Sequence, residues 1–98
     1  MASRMKAIVI HEKDNVATAL VPLQAGGTVS VKVQGGVERV KLVVPIPMGH
    51  KFALRGIETG EEVFKYGEPI GQTTSRIARG EHVHVHNVVG HRGRKEGD

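Results

Sequence analysis

The chain has no cysteine and no tryptophan among its 98 residues, and its aromatic side chains are limited to Phe52, Phe64 and Tyr66. The lack of cysteine excludes a disulfide framework and a thiolate metal site. The scarcity of aromatic residues predicts an aliphatic core. No apolar run approaches the ~20 residues that cross a bilayer, and the N-terminus lacks the apolar segment of a signal peptide. We therefore expect one small cytoplasmic protein that does not enter a membrane.

The charge of the chain is positive but dispersed. The formal net charge is +4, and the densest basic group, Arg92, Arg94 and Lys95, lies beside Glu96 and Asp98 in a glycine-rich end. Nucleic-acid domains show a focused basic stripe or stacking aromatic rings, and neither is visible here. We expect no nucleic-acid partner, although the charge suits an acidic small substrate. The pattern predicts one domain over residues 1–89 and a disordered basic tail over residues 90–98.

Alternating apolar and polar residues mark two neighbouring strands. They run from Thr28 to Val33 and from Val37 to Val43, with Gly35-Gly36 between them, which predicts a hairpin with its valines facing inward. Further strands are expected at 6–10 and 52–54, whereas 15–21 suits a strand or a short helix. Three segments, 23–29, 57–63 and 77–83, share an apolar residue, a glycine three positions later and a valine, which predicts recurring corners. The fold class is therefore mostly β.

The segment from Gly80 to Asn87 alternates three histidines with valines. A strand there would project His82, His84 and His86 from one face. Same-face neighbours lie ~7 Å apart, so two adjacent imidazoles such as His84 and His86 can lean together on a metal but three on a flat strand cannot. The third histidine would have another task, and other ligands would come from His50 or a partner protein. The alternative is a solvent-facing polar row.

Two other segments place charge on predicted turns. His50 and Lys51 follow Gly49, where they could face an anion or form an ordinary exposed turn. Lys65 and Tyr66 could bind a carboxylate, or Tyr66 could pack against Pro69. A structural role suits Asp14-Asn15 better than a chemical one.

Several of these motifs together resemble the small SAF-type domain of altronate and galactarate dehydratases. They are Gly49-His50-Lys51-x-Ala53-Leu54, Lys65-Tyr66-Gly67-x-x-Ile70-Gly71 and Gly80-Glu81-His82-Val83-His84-x-His86-Asn87. The resemblance covers about residues 6–88, and the small subunit of sulfolactate sulfo-lyase looks similar. It implies a β-clip fold that accompanies a larger catalytic part. Because the chain ends soon after the histidines, we expect that part to be a separate large subunit.

The resemblance also implies a reaction, the dehydration of a sugar acid by β-elimination, and a set of site residues. A divalent metal of the Fe²⁺ or Mn²⁺ type, shared with the large subunit, is expected as cofactor. Carried over by motif, the catalytic residues are His50, Lys65, Tyr66 and His82, the substrate-binding residues are Lys51 and Asn87, and the metal ligands are His84 and His86.

Two alternatives remain beside the dehydratase. The chain could be the small subunit of a (2R)-sulfolactate sulfo-lyase, or a non-catalytic SAF module for ligand binding or assembly. An isolated chain of this kind is expected to be inactive and could form a homo-oligomer.

Overall fold

The computed structural model describes residues 5–90, which form nine short strands and no helix. The strands are β1 (Ala7–Ile8), β2 (Val16–Ala19), β3 (Thr28–Val33), β4 (Gly36–Lys41), β5 (Lys51–Ala53), β6 (Glu62–Lys65), β7 (Glu68–Thr73), β8 (His82–Val83) and β9 (Val88–Gly90). The prediction of a mostly β fold is confirmed. Within 5–90, no helix has the length and hydropathy needed to cross a membrane.

The strands form three antiparallel sheets. One has the spatial order β1-β2-β5-β8, the second is the β3-β4 hairpin, and the third has the order β6-β7-β9. The segment 15–21, for which a strand and a short helix were both open, contributes β2. Strand β9 extends to Gly90, which pairs with Gly71. The remainder of the predicted tail, 91–98, lies outside the described residues.

The β3-β4 hairpin is confirmed, but the prediction that all its valines face inward is wrong for β4. Val29 and Val40 oppose each other and are buried, whereas Val37 and Val43 are 64% and 54% exposed. Side chains alternate between the two faces of a strand, so valines three residues apart cannot share one face. Leu42, two residues after Val40, takes the second inward position.

Four corners connect the strands, and each begins with a buried aliphatic residue followed three positions later by a glycine with positive φ. These pairs are Leu23 and Gly26, Ile46 and Gly49, Ile57 and Gly60, and Ile77 and Gly80. The sequence pattern predicts three of the corners, and the one that begins at Ile46 completes the set. The aliphatic residues join the corners in two pairs, because Leu23 and Ile46 exchange two backbone hydrogen bonds of 2.9 Å and Ile57 and Ile77 exchange bonds of 2.8 and 2.9 Å.

The core is aliphatic, as predicted, and Phe52 on β5 is its only fully buried aromatic side chain among the described residues. Two buried clusters make it up, one around Phe52 and the β3-β4 hairpin and one around Ile57, Val63 and Ile77. Strand β5 contributes to both clusters, since Ala53 belongs to the second.

Asp14 and Asn15 have the structural role that their sequence suggests. The buried carboxylate of Asp14 accepts hydrogen bonds from the backbone N–H groups of Tyr66 at 3.1 Å and Gly67 at 2.8 Å. Oδ1 of Asn15 accepts a hydrogen bond from the backbone N–H of Phe64 at 2.9 Å, and its Nδ2 donates one to the carbonyl of Glu62 at 3.0 Å. Together they fasten the β6-β7 hairpin to the start of β2.

Candidate functional site

The pairing of β5 with β8 brings distant histidines together. Lys51 lies opposite Val83 and Phe52 opposite His82, so continuing this register places His50 opposite His84. Their imidazole rings stack with centroids 4.0 Å apart and planes 12° apart. Directly opposed side chains on antiparallel strands are the closest cross-strand neighbours. The sheet itself therefore creates this contact between positions 34 residues apart in sequence.

His82 completes the cluster. Nδ1 of His50 and Nε2 of His82 lie 2.8 Å apart and share one proton. The ring of His82 also stacks on that of His84, with centroids 5.4 Å apart. Each of the three half-buried histidines offers one ring nitrogen within 4.8 Å of the others. We call His50, His82 and His84 the histidine trio.

The prediction of one straight strand from Gly80 to Asn87 is wrong. Strand β8 ends at Val83, residues 84–87 form a turn, and Val85 is 81% exposed rather than inward. Asn87 closes the turn, because its Oδ1 accepts a hydrogen bond from the backbone of His84 at 2.9 Å and its Nδ2 donates one to the carbonyl of His82 at 2.8 Å. An asparagine that bonds to nearby backbone competes with strand pairing. The turn therefore fixes the backbone of His82 and His84 and places Val85 in solvent.

The two predicted metal ligands therefore lie in different surroundings. His84 belongs to the histidine trio, whereas the ring of His86 lies beside His82, 5.1 Å away and tilted by 36°. Asn87, predicted to bind substrate, is buried with both ends of its amide on the backbone. Its observed contacts position His82 and His84, and the substrate-binding role remains a prediction.

Lysine charge lies next to the trio. Burial, and then the charge of Lys65, lowers the pKa of the half-buried Lys51. Burial is also the main cause that lowers the pKa of His82 and of His84, with contributions from the neighbouring histidines and from Lys51. Both imidazoles are thus held in the neutral form, which binds metals and accepts protons.

Lys65 and Tyr66 stand at the end of β6 and in the following turn. The ammonium of Lys65 lies 5.0 Å from the centre of the exposed Tyr66 ring, and the turn is fastened by Asp14. The electrostatic effect of Lys65 on Lys51 links this turn to the trio. Lys51 contributes to the lowered pKa of His82 and of His84, whereas Tyr66 is not among the causes of either shift.

The corner that carries His50 explains why this side chain does not bond back to the backbone of its own corner. In two other corners a glutamate follows the glycine, and the carboxylates of Glu61 and Glu81 accept the backbone N–H three residues earlier at 2.8 Å. His50 occupies the same position after Gly49. The residue three positions earlier is Pro47, which has no N–H to offer. The repeated corner, read together with Pro47, is the sequence signal that could have marked the His50 side chain as available for contacts outside its own corner.

A groove of about 720 Å³ lies elsewhere, between β1, the tip of the β3-β4 hairpin and the segment after β5. Its walls include Ile8, Ile10, Val33 and Arg55, and it contains none of the predicted site residues. The trio instead occupies a half-exposed surface, which suits a site that a second protein surface completes.

Comparison with known proteins identifies relatives of this chain. Residues 5–91 match the family described as the altronate/galactarate dehydratase SAF domain. Altronate dehydratase of Escherichia coli is 49% identical over 84 residues, a region that covers 86% of this chain and 16% of the relative. Galactarate dehydratase (L-threo-forming) of the same organism is 35% identical over 82 residues, with 84% of this chain and 15% of the relative covered.

A third relative is of similar size to this chain. The (2R)-sulfolactate sulfo-lyase subunit alpha of Chromohalobacter salexigens is 37% identical over 84 residues, which cover 82% of this chain and 89% of the relative. The chain thus spans about a sixth of the altronate dehydratases that it matches and most of the sulfo-lyase subunit. The match over residues 5–91 shows that the chain belongs to the altronate/galactarate dehydratase SAF domain family.

Proposed function

We propose that this chain is the small component of a carbon–oxygen lyase that dehydrates a sugar acid together with a larger catalytic subunit. The observation that supports this most is the convergence of three half-buried imidazoles beside Lys51 and the charge of Lys65. Such a face pairs groups that bind hydroxyl oxygens or a metal with groups that bind a carboxylate. Because the trio is half-exposed, it forms one wall of a site and the larger subunit forms the other.

The reaction requires removal of the proton on the carbon next to the carboxylate. That proton is weakly acidic, and the enediolate that develops needs positive charge beside it. The ammonium of Lys65 binds the carboxylate and supplies this charge. Lys51 is the base, because burial and Lys65 lower its pKa and so increase the fraction that is neutral. This assignment moves Lys51 from the substrate-binding role predicted from sequence to a catalytic one.

Elimination then breaks the neighbouring carbon–oxygen bond. The proton goes from C2 to Lys51, the electron pair forms the C2–C3 double bond, and the hydroxyl leaves as water after it takes a proton from Tyr66 or from an acid of the larger subunit. The enol product becomes a 2-keto acid. A divalent metal of the Fe²⁺ or Mn²⁺ type at this face would supply Lewis acidity to the departing hydroxyl.

A second candidate is the small subunit of a (2R)-sulfolactate sulfo-lyase, in which sulfite would leave in place of water. The size of the relative favours it, because the chain covers 89% of that subunit. The higher identity to altronate dehydratase, 49%, favours the sugar acid. The same face serves both reactions, since each begins with loss of a proton next to a carboxylate.

Reconstitution with a large subunit of the dehydratase type tests the proposal. We expect the isolated chain to be inactive and the complex to convert altronate or galactarate to a 2-keto acid. Turnover of sulfolactate alone would select the second candidate. The variant Lys51→Gln should lower kcat by roughly 10²–10⁴-fold, the usual contribution of a general base.

Lys32→Ala is the matched control, because it removes a lysine charge from an exposed position on β3. It should leave kcat unchanged. A complex that binds the large subunit but turns over none of the three acids would favour a non-catalytic SAF module and contradict the lyase.

A further inference from the structure

The histidine trio has the spacing of a metal site. The closest pair of ring nitrogens, in His50 and His82, is 2.8 Å apart, and the nitrogens of all three lie within 4.8 Å of one another. Ligand nitrogens ~2.1 Å from one zinc-like ion lie about 3–3.5 Å apart. The required separation of about 3–3.5 Å lies between the 2.8 Å of the closest pair and the 4.8 Å limit for all three nitrogens. The stacked rings of His50 and His84 would turn about their side-chain bonds to direct lone pairs at a common point, a movement that half-exposed rings allow.

The protein makes little other use of these nitrogens. Within residues 5–90 no hydrogen bond reaches the ring nitrogens of His84, and His50 and His82 share a single proton. A neutral imidazole has one N–H and one lone pair, so the trio has three lone pairs, of which the hydrogen bond between His50 and His82 uses one.

The backbone that carries the trio is held from two sides. Strand β5 fixes His50 against β8 through the pairing of Lys51 with Val83. Asn87 bonds to the backbone of both His82 and His84, and so sets the distance between them. Groups that orient metal ligands in this way raise metal affinity. Because the ligands come from segments about 30 residues apart, the site exists only in the folded chain.

The donor set selects the kind of ion. Three imidazoles without a carboxylate or thiolate suit Zn²⁺, Co²⁺, Ni²⁺ or Fe²⁺ and suit Mg²⁺ and Ca²⁺ poorly. Three protein ligands leave at least one coordination position open.

We propose that His50, His82 and His84 together bind one divalent first-row transition metal ion in this chain by itself, with His86 outside the coordination sphere. The inference deepens the proposed function and rests on it only for the reaction that the ion would serve. It replaces the pair of ligands predicted from sequence, His84 and His86, by a set in which His50 comes from the opposite strand.

Titration of the untagged, chelator-treated full chain with Co²⁺, followed by visible absorption and by competition with Zn²⁺, tests the site. We expect one ion per chain, weaker binding of Mn²⁺ than of Co²⁺ or Zn²⁺, and no binding of Mg²⁺. His50→Ala, His82→Ala and His84→Ala should each weaken Co²⁺ binding roughly 100-fold or more, since even groups that only support a ligand contribute 10–100-fold. His86→Ala should stay within about threefold of the wild type.

The wild-type chain offers a test that needs no variant to fold. Zn²⁺ should shift the ring ¹⁵N resonances of the trio and leave those of His86 and His11 in place. An equal shift at His86, an affinity unaffected by His50→Ala, or no binding of Co²⁺ would overturn the proposal.

These outcomes separate the metal site from the lyase. A chain that binds no metal within an active complex would remove the site and leave the proposed function. Metal binding through the trio in a complex that turns over no acid would support the metal site and contradict the proposed lyase function.

Discussion

At the scale of single residues, Asn87 shows how a buried amide can control a surface site. Its side chain is only 8% exposed, and both ends bond to the backbone that carries His82 and His84. Its matched counterpart is Asn15, which is 6% exposed and bonds at both ends to β6. The two asparagines therefore have the same structural function in different places, and only one of them supports the histidine trio.

We expect Asn87→Ala and Asn15→Ala to lower the free energy of unfolding by a similar amount. Each leaves a buried donor and acceptor without partners, at a cost of roughly 1–3 kcal/mol. Only Asn87→Ala should also weaken Co²⁺ binding, which urea unfolding and metal titration of both variants would measure. Equal losses of metal affinity in the two variants would contradict the positioning role of Asn87.

The crowded histidines also predict a pH dependence for the metal-free chain. Burial, the positive charge that His50, His84 or His86 gains on protonation, and Lys51 lower the pKa of His82 below the ordinary 6.5. The unfolded chain therefore takes up a proton near pH 6.5 that the folded chain resists. Stability should be constant above that pH and should fall as the pH drops below it toward the lowered folded pKa.

Urea unfolding in the presence of a chelator, between pH 7.5 and pH 5.5, measures this loss. A variant with both His82→Gln and His84→Gln should show a shallower decline over the same interval. Parallel curves for the wild type and the double variant would show that these histidines do not cause the pH dependence.

At the scale of elements, the corners determine where the functional side chains lie. Gly80 lies in the corner that begins at Ile77 and leads into β8, and a Cβ at this position would overlap the carbonyl oxygen of Lys41. Gly26 has almost the same φ, 84° against 86°, but open space around it. A side chain at Gly26 would therefore meet only the cost of a positive φ, whereas one at Gly80 would also meet the cost of contact with the Lys41 backbone.

We expect Gly26→Ala to destabilise the chain by roughly 1–2 kcal/mol, the cost of a left-handed conformation with a side chain. Gly80→Ala should cost at least about 1 kcal/mol more, because a backbone carbonyl cannot move aside as a flexible side chain can. Thermal or urea unfolding of both variants measures the difference. Equal stability of the two would mean that the close approach at Lys41 is relieved without cost.

The strands and turns of this fold differ in how far the sequence could predict them. The hairpin of β3 and β4 was predictable because its alternation is local and a glycine turn joins the strands. Val37 and Val43 face outward because each lies three residues from the inward-facing Val40, whereas side chains on one face of an extended chain recur every second residue. The prediction of a histidine strand was wrong because Asn87 closes a turn through side-chain hydrogen bonds, which the alternation of histidine and valine does not reveal. The contact of His50 with His84 depends on pairing between distant strands, which no local pattern encodes.

At the scale of the whole molecule, exposed apolar side chains flank the histidine trio. Met48, in the corner before His50, is 63% exposed, and Val85, between His84 and His86, is 81% exposed. Exposed apolar side chains beside polar groups are typical of protein interfaces. We therefore expect this rim to contact the larger subunit, which would also exclude water from the site.

The substitutions Met48→Glu and Val85→Glu should weaken association with the large subunit by at least about tenfold, since each would place a charge in an apolar contact. Val37→Glu is the control, because Val37 is 64% exposed on the separate β3-β4 sheet. Isothermal titration with the large subunit measures the three affinities. Metal binding by the isolated chain should be the same in all three variants. A loss of association in Val37→Glu equal to that in Met48→Glu would contradict the assignment of this rim.

The turnover number of the reconstituted complex that carries both His82→Ala and His84→Ala is the most direct measurement of the central claim. Association with the large subunit must first be shown to equal that of the wild type. Because the trio would hold the metal that assists the departing hydroxyl, kcat should fall by at least about 10²-fold on the acid that the wild-type complex uses, while Lys32→Ala remains fully active. Unchanged kcat in the double variant would show that this face takes no part in the reaction.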